Sequence, residues 1–120
     1  MKYRSTLEQM VGFALGKEWF YEPWSMPYSV PRKYTPDFVR GNVIMEVKGY
    51  FREGDTQKYR AIKEQCWNEN KRFIMLLQNS NKKVRKGSHL TMAGWCDKNG
   101  IPWYDLETVE RIEELFNADH

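Results

Sequence analysis

The sequence predicts a mixed α/β fold, with a central sheet flanked by helices. Three observations predict it. Apolar residues recur at helical spacing near both ends of the chain. Two short strand-like segments meet at Gly41-Asn42, the composition of a two-residue hairpin turn. A continuous apolar run, Phe73 to Leu77, suits a strand buried on both faces. The 120 residues suffice for one domain with one hydrophobic core, so a single domain over 1–120 is expected.

Each element has its own reason. Residues 5–17 read as a helix, because Leu7, Met10, Val11, Ala14 and Leu15 share one face and Ser5 suits an N-cap. Residues 18–33 are aromatic and hold Pro23, Pro27 and Pro31. Proline removes backbone donors, so this stretch is an extended edge segment or an arm. Residues 36–40 and 43–48 are strands. Residues 55–70 form a helix with Tyr59, Ile62 and Cys66 on one side. After the apolar strand comes a basic loop, 79–87, and Ser88 caps a helix ending near Gly100. Residues 101–104 are a short strand. Asp105 caps a last helix that turns Leu106, Val109, Ile112 and Phe116 inward. Counting the arm as a strand, the order is α-β-β-β-α-β-α-β-α, a sheet flanked by helices.

Charge is unevenly spread. Residues 1–104 carry 18 Lys and Arg against 10 Asp and Glu, whereas residues 105–120 carry six acids and one Arg. A basic body with an acidic end suggests a polyanionic partner. Cys66 and Cys96 stand apart with no CxxC, which argues against a zinc site and a disulfide framework. The N-terminus lacks the apolar run of a signal peptide and no stretch is long enough to span a bilayer, so a cytoplasmic location is expected.

The hairpin carries the chemistry. With the turn at Gly41-Asn42, Arg40 faces Val43 and pairing continues outward until Asp37 lies opposite Glu46. Opposed side chains have Cβ atoms roughly 5 Å apart, close enough for two carboxylates to share one divalent cation. Alternation puts Val43, Met45 and Val47 on the side expected to be core. It puts Ile44, Glu46 and Lys48, with Asp37, on the other side. Hard oxygen ligands suit Mg²⁺ or Mn²⁺, and such an ion activates water and stabilises charge on a phosphate. Lys48 could orient the attacking water or stabilise developing negative charge. Glu-x-Lys is also ordinary on the solvent face of a hairpin, and spacing alone leaves both readings open.

The text around these residues narrows the choice. Pro36-Asp37 followed by Glu46-Val47-Lys48 resembles the P-D…(D/E)-x-K signature of the restriction-endonuclease-like nucleases. Ser5-Thr-Leu-Glu8, Tyr21-Glu-Pro-Trp24, Pro27-Tyr28, Tyr34-Thr-Pro-Asp-Phe38, Glu46-Val-Lys-Gly49, Lys86-Gly-Ser88, Trp95-Cys96 and Asn99-Gly-Ile101 follow in the order found in the phage endonuclease I family. The chain resembles that family over roughly residues 4–105. The resemblance implies a restriction-endonuclease-like core and a Holliday junction resolvase working as a homodimer in a phage-infected or bacterial cell. It implies Mg²⁺, or Mn²⁺, held by Asp37, Glu46, Val47 and Glu8, and a catalytic set of Glu8, Asp37, Glu46 and Lys48. Glu8 also completes a Ser-x-x-Glu capping box, so it has a structural reading too. At about 100° per residue it falls at the edge of the helix's apolar face. Members of the family exchange strands between subunits through a bridge, and residues 19–34 are expected to form the dimer arm or bridge. The acidic end departs from the basic tail that members can carry.

Contacts to DNA phosphates are expected from Lys82, Lys83, Arg85, Lys86 and Ser88 in the basic loop, from Lys58 and Lys63 on the following helix face, and from Arg4 and Arg52. Competing readings are a sequence-specific homing or restriction-type enzyme, a transposase cleavage subunit, or a non-catalytic DNA-binding module.

Overall fold

A computed structural model describes residues 3–117. The chain divides into two compact units, Met1–Arg32 and Lys33–His120. In the first, α1 spans Thr6–Leu15. Ser5 caps it as its composition suggests: the Ser5 hydroxyl oxygen accepts from the Glu8 N–H at 3.1 Å. The segment after α1 forms no strand among the described residues, so the extended edge expected over 18–33 is irregular backbone without a ladder. Its three prolines explain this, since each lacks a donor. The apolar face of α1 is open: Leu7, Met10, Val11 and Leu15 are all exposed.

The second unit is a four-stranded sheet in the order β1-β2-β3-β4. Strands β1 (Phe38–Arg40) and β2 (Val43–Lys48) form the expected hairpin. Phe38 pairs with Met45 and Arg40 with Val43, so the predicted register is the observed one. Gly41 adopts φ +58 at the first turn position, where a Cβ would be strained. From β2 the chain crosses through α2 (Asp55–Asn68) to β3 (Arg72–Leu77), parallel to β2, and through α3 (Met92–Lys98) to β4 (Trp103–Tyr104), parallel to β3. Such parallel pairs need a crossover, and each helix supplies one. The result is a mixed α/β unit.

One face of the sheet packs under α2 and α3. Ile44, Phe73, Met75 and Leu77 join Tyr59 and Cys66 of α2 and Met92, Trp95 and Cys96 of α3. This reverses the face assignment made for β2. The residues expected to look away from the core, Ile44, Glu46 and Lys48, lie on the face carrying the main cluster. Val43 is buried on the opposite face with Ile74 and Leu76, but Val47 is exposed. Both sheet faces are covered in part, so alternation in β2 could not say which face was inner.

Two helix boundaries also differ. Thr91, not Ser88, caps α3, accepting from the Gly94 N–H at 2.9 Å. Ser88 instead accepts from the Leu90 N–H and shapes the loop. The chain's end is a 3₁₀ turn, Val109–Glu113, followed by a four-residue helix, α4 (Glu114–Asn117). Asp105 does cap the turn before it, accepting from the N–H groups of Glu107 and Thr108. Leu106, expected to face inward, is exposed. Arg40 ties this end to the sheet, with its guanidinium 3.8 Å from the Phe116 ring centre and 2.8 Å from Glu113. No described helix is long and apolar enough to cross a membrane.

Candidate active site

The hairpin's open end presents the candidate site. Backbone geometry there follows from one residue type. Arg72 N–H bonds the Asn42 carbonyl and Gln78 N–H bonds the Lys48 carbonyl, so even-numbered residues of β2 point their carbonyls at β3. Odd-numbered residues therefore point theirs toward β1. Continuing the register, Val47 would face Pro36, which has no N–H to give. The ladder ends at that point. The Asp37 carboxylate takes over one half of the missing pair, accepting from the Val47 N–H at 2.9 Å. The Val47 carbonyl, the other half, is left facing a residue that cannot donate.

Glu46 is 8% exposed, on the α2 side of the sheet. A buried carboxylate needs donors, and two tyrosines supply them. The Tyr34 hydroxyl donates to Oε1 at 2.6 Å and the Tyr59 hydroxyl to Oε2 at 3.1 Å. Burial, then the Glu46 carboxylate, pushes the Tyr34 phenol well above its ordinary range. Tyr59 is pushed up to about 12, chiefly by burial, with Lys48 opposing and Glu46 adding. Both phenols thus stay protonated and remain donors at neutral pH.

Lys48 lies two residues on, on the same face. Its ammonium is 3.3 Å from Asp55 Oδ2 and 5.2 Å from the centre of the Tyr59 ring. Burial alone would lower its pKa, but the Tyr59 hydroxyl and the Asp55 carboxylate outweigh that and raise it. Lys48 is therefore held as a cation. Asp37, Glu46 and Lys48 all lie at this end of the hairpin, and the sequence alone did not single out Tyr34, Tyr59 or Asp55 beside them. Tyr34 lies three residues before Asp37, in Tyr34-Thr-Pro-Asp-Phe38. Asp55 looked like an ordinary acid in the first turn of a helix.

Glu8 belongs to the first unit. Its carboxylate accepts from the Ser5 hydroxyl at 3.0 Å and lies 3.8 Å from Arg4. Tyr21, then Ser5 and Arg4, draw its pKa below the ordinary carboxylate value. It lines a cleft with Tyr3, Val11, Trp19 and Tyr21. The Glu8 carboxylate thus reaches back to the residue that caps its helix. Among the described residues, no three His, Cys, Asp or Glu side chains converge to hold a metal ion. Asp37, Glu46 and the Val47 carbonyl are oxygens at this strand end that could face a cation.

The expected DNA contacts fall into distinct settings. Strands β2 and β3 end level, Lys48 opposite Leu77, so the loops 49–54 and 79–91 leave the sheet at the site's end. Lys82, Lys83, Arg85 and Lys86 are exposed on the second loop, which the buried Val84 anchors. Lys83 donates to the His89 carbonyl at 3.3 Å. Arg52 is exposed on the first loop, over the Tyr50 ring. Lys58 leans over the site, 5.4 Å from the Tyr59 ring and 5.8 Å from that of Tyr34. Lys63 is otherwise employed, donating to the Asn99 carbonyl at 2.6 Å and tying α2 to the end of α3. Arg4 pairs with Glu22 at 2.9 Å.

Two carboxylates and a lysine at one end of a hairpin, with cationic loops leaving the same end, form a charged surface of the class that suits a polyanionic ligand. The comparisons are consistent with that class and far more specific. The family model described as Phage endonuclease I matches residues 1–117. Endodeoxyribonuclease 1 of Enterobacteria phage T3 is 36% identical over 120 residues, covering 93% of this chain and 78% of that protein. Endonuclease I of Escherichia phage T7 is 35% identical, covering 93% of this chain and 79% of that protein. The chain belongs to the phage endonuclease I family.

Proposed function

We propose that the chain is a divalent-metal-dependent endodeoxyribonuclease that resolves branched DNA, Holliday junctions above all, in the cytoplasm of an infected or bacterial cell. Its family membership carries the endonuclease activity. The sheet, with α2 and α3 on one face, is read as a restriction-endonuclease-like core. The observation that carries the metal reading is the broken ladder. Asp37, Glu46 and the Val47 carbonyl are three hard oxygen sources at one strand end, and Pro36 leaves the carbonyl without a backbone partner. Such donors fit Mg²⁺ or Mn²⁺. Family membership adds Glu8 as a further candidate ligand in this reading. A divalent ion there supplies Lewis acidity toward water and phosphate.

The chain's own groups do the rest. Tyr34 and Tyr59 fix the Glu46 carboxylate in one orientation. Lys48, kept charged, stabilises negative charge developing on the phosphate or orients the attacking water. Lys82, Lys83, Arg85 and Lys86 bind backbone phosphates, with Ser88, Arg52 and Lys58 adding contacts. The open apolar face of α1 supports a homodimer, with residues 19–34 as the arm between subunits, because apolar surface of that extent calls for a partner.

A digest of cruciform beside linear duplex DNA, with and without Mg²⁺, tests the proposal. Cleavage confined to the branch point and dependent on Mg²⁺ is expected. Equal cutting of linear DNA of unrelated sequence would remove the structure selectivity. Asp37→Asn keeps an acceptor for the Val47 N–H, so the variant should fold and bind DNA yet not cut it.

A further inference from the structure

We infer that Asp55 is a positioning residue for strand cleavage, holding the Lys48 ammonium in place and away from Glu46. The inference rests on the reading of Lys48 as catalytic and adds what keeps it there. Lys48 and Glu46 share one face of β2 two residues apart, and a lysine stem is long enough to reach a carboxylate at that distance. Left to itself, a largely buried ammonium would pair with the nearest anion. A Lys48–Glu46 pair would occupy the carboxylate that the metal reading requires.

Two features prevent that pairing. Asp55 offers a better-placed anion, with Oδ2 3.3 Å from Nζ, and both side chains are largely buried, 17% and 11% exposed. Asp55 is itself fixed. It is the first residue of α2, and the same oxygen accepts from the Arg52 N–H at 2.9 Å. Gly54, at φ +88, makes the sharp entry that turns Asp55 inward, a conformation that other residues rarely adopt. Tyr59 is the spacer. Its ring lies beneath the ammonium while its hydroxyl donates to Glu46 Oε2, so one side chain stands between cation and carboxylate. No other acidic side chain forms an ion pair with Lys48 among the described residues.

The test is a double-mutant cycle on the full chain, cutting a four-way junction in Mg²⁺. Asp55→Asn retains an acceptor for the Arg52 N–H and removes the charge. It should lower kcat roughly 10²-fold, the cost of a misplaced catalytic group, with KM unchanged. Asp55→Glu, which restores the charge on a longer stem, should recover part of the rate, and it serves in place of the Asn variant should that one melt early. In a Lys48→Ala background, Asp55→Asn should cost nothing further, because its effect passes through Lys48. Equal losses in both backgrounds would make Asp55 merely structural and overturn the inference. A wild-type rate for Asp55→Asn beside an inactive Lys48→Ala would overturn it too, leaving Lys48 as the catalytic residue. A fully active Lys48→Ala would overturn the parent reading and this one with it.

Discussion

Replacing Tyr59 by Phe deletes one oxygen and keeps the ring, and the Glu46→Ala background separates what the hydroxyl does for Glu46 from what it does for Lys48. The ring is 1% exposed and packs against Phe73 with centroids 6.0 Å apart, a contact that Phe preserves. No cavity of consequence opens. What is lost is a 3.1 Å hydrogen bond to an oxygen of a carboxylate that is 8% exposed. Leaving such an oxygen without a donor costs about 1–3 kcal/mol, toward the upper end because the acceptor is charged. Tyr34 still holds the other oxygen at 2.6 Å, which keeps the loss from being larger. Urea unfolding at fixed protein concentration and neutral pH should show a midpoint drop equivalent to about 2 kcal/mol with an unchanged slope. The same substitution in a Glu46→Ala background should cost well under half as much, since the carboxylate that needed the donor is gone. Equal destabilisation in both backgrounds would show that the hydroxyl serves the core and not Glu46, and the account of a tyrosine-held carboxylate would be wrong.

Three further outcomes follow from the same geometry. Thr91→Ala should destabilise by about 1 kcal/mol through loss of the α3 cap, whereas Ser88→Ala should leave α3 intact, both read by chemical denaturation. Lys82→Ala and Lys86→Ala should each weaken junction binding for all sequences and reduce the slope of log K against log salt by about 1, and an unchanged slope would remove them from the phosphate contacts. Burial pushes the Cys96 thiol up to about 12 from an ordinary 9.0. A raised folded pKa means the stability it contributes is complete below pH 9 and drains away as pH climbs toward 12. Wild-type stability should therefore fall more steeply than that of Cys96→Ala across that window.

The hairpin was legible because two independent signals agreed. Period-two alternation limited the register to one parity, and Gly41 fixed the turn, so Phe38 opposite Met45 followed without any tertiary knowledge. The inner face was not legible. A strand with neighbours on both sides and cover on both faces offers no polarity contrast, and Glu46 naturally read as outward. Only Tyr34 and Tyr59 make its burial tolerable, from positions 12 and 13 residues away. Asp55 was hidden for a similar reason. Its role depends on Gly54 turning it inward toward a strand seven residues back, which no local spacing encodes. The start of α3 slipped because Ser88 and Thr91 are both good caps. The last helix shortened into a 3₁₀ turn because Asp105 bonds its own neighbours first.

Every member of the cluster built on the hairpin, from Tyr34 through Asp37, Glu46, Lys48 and Asp55 to Tyr59, lies within one short stretch of chain. Phe73, Met75 and Trp95, the residues that shut the inner face, all come later in the chain. Bringing the site's partners together therefore closes only short loops, at little entropic cost, whereas the cover over them is supplied by segments further along.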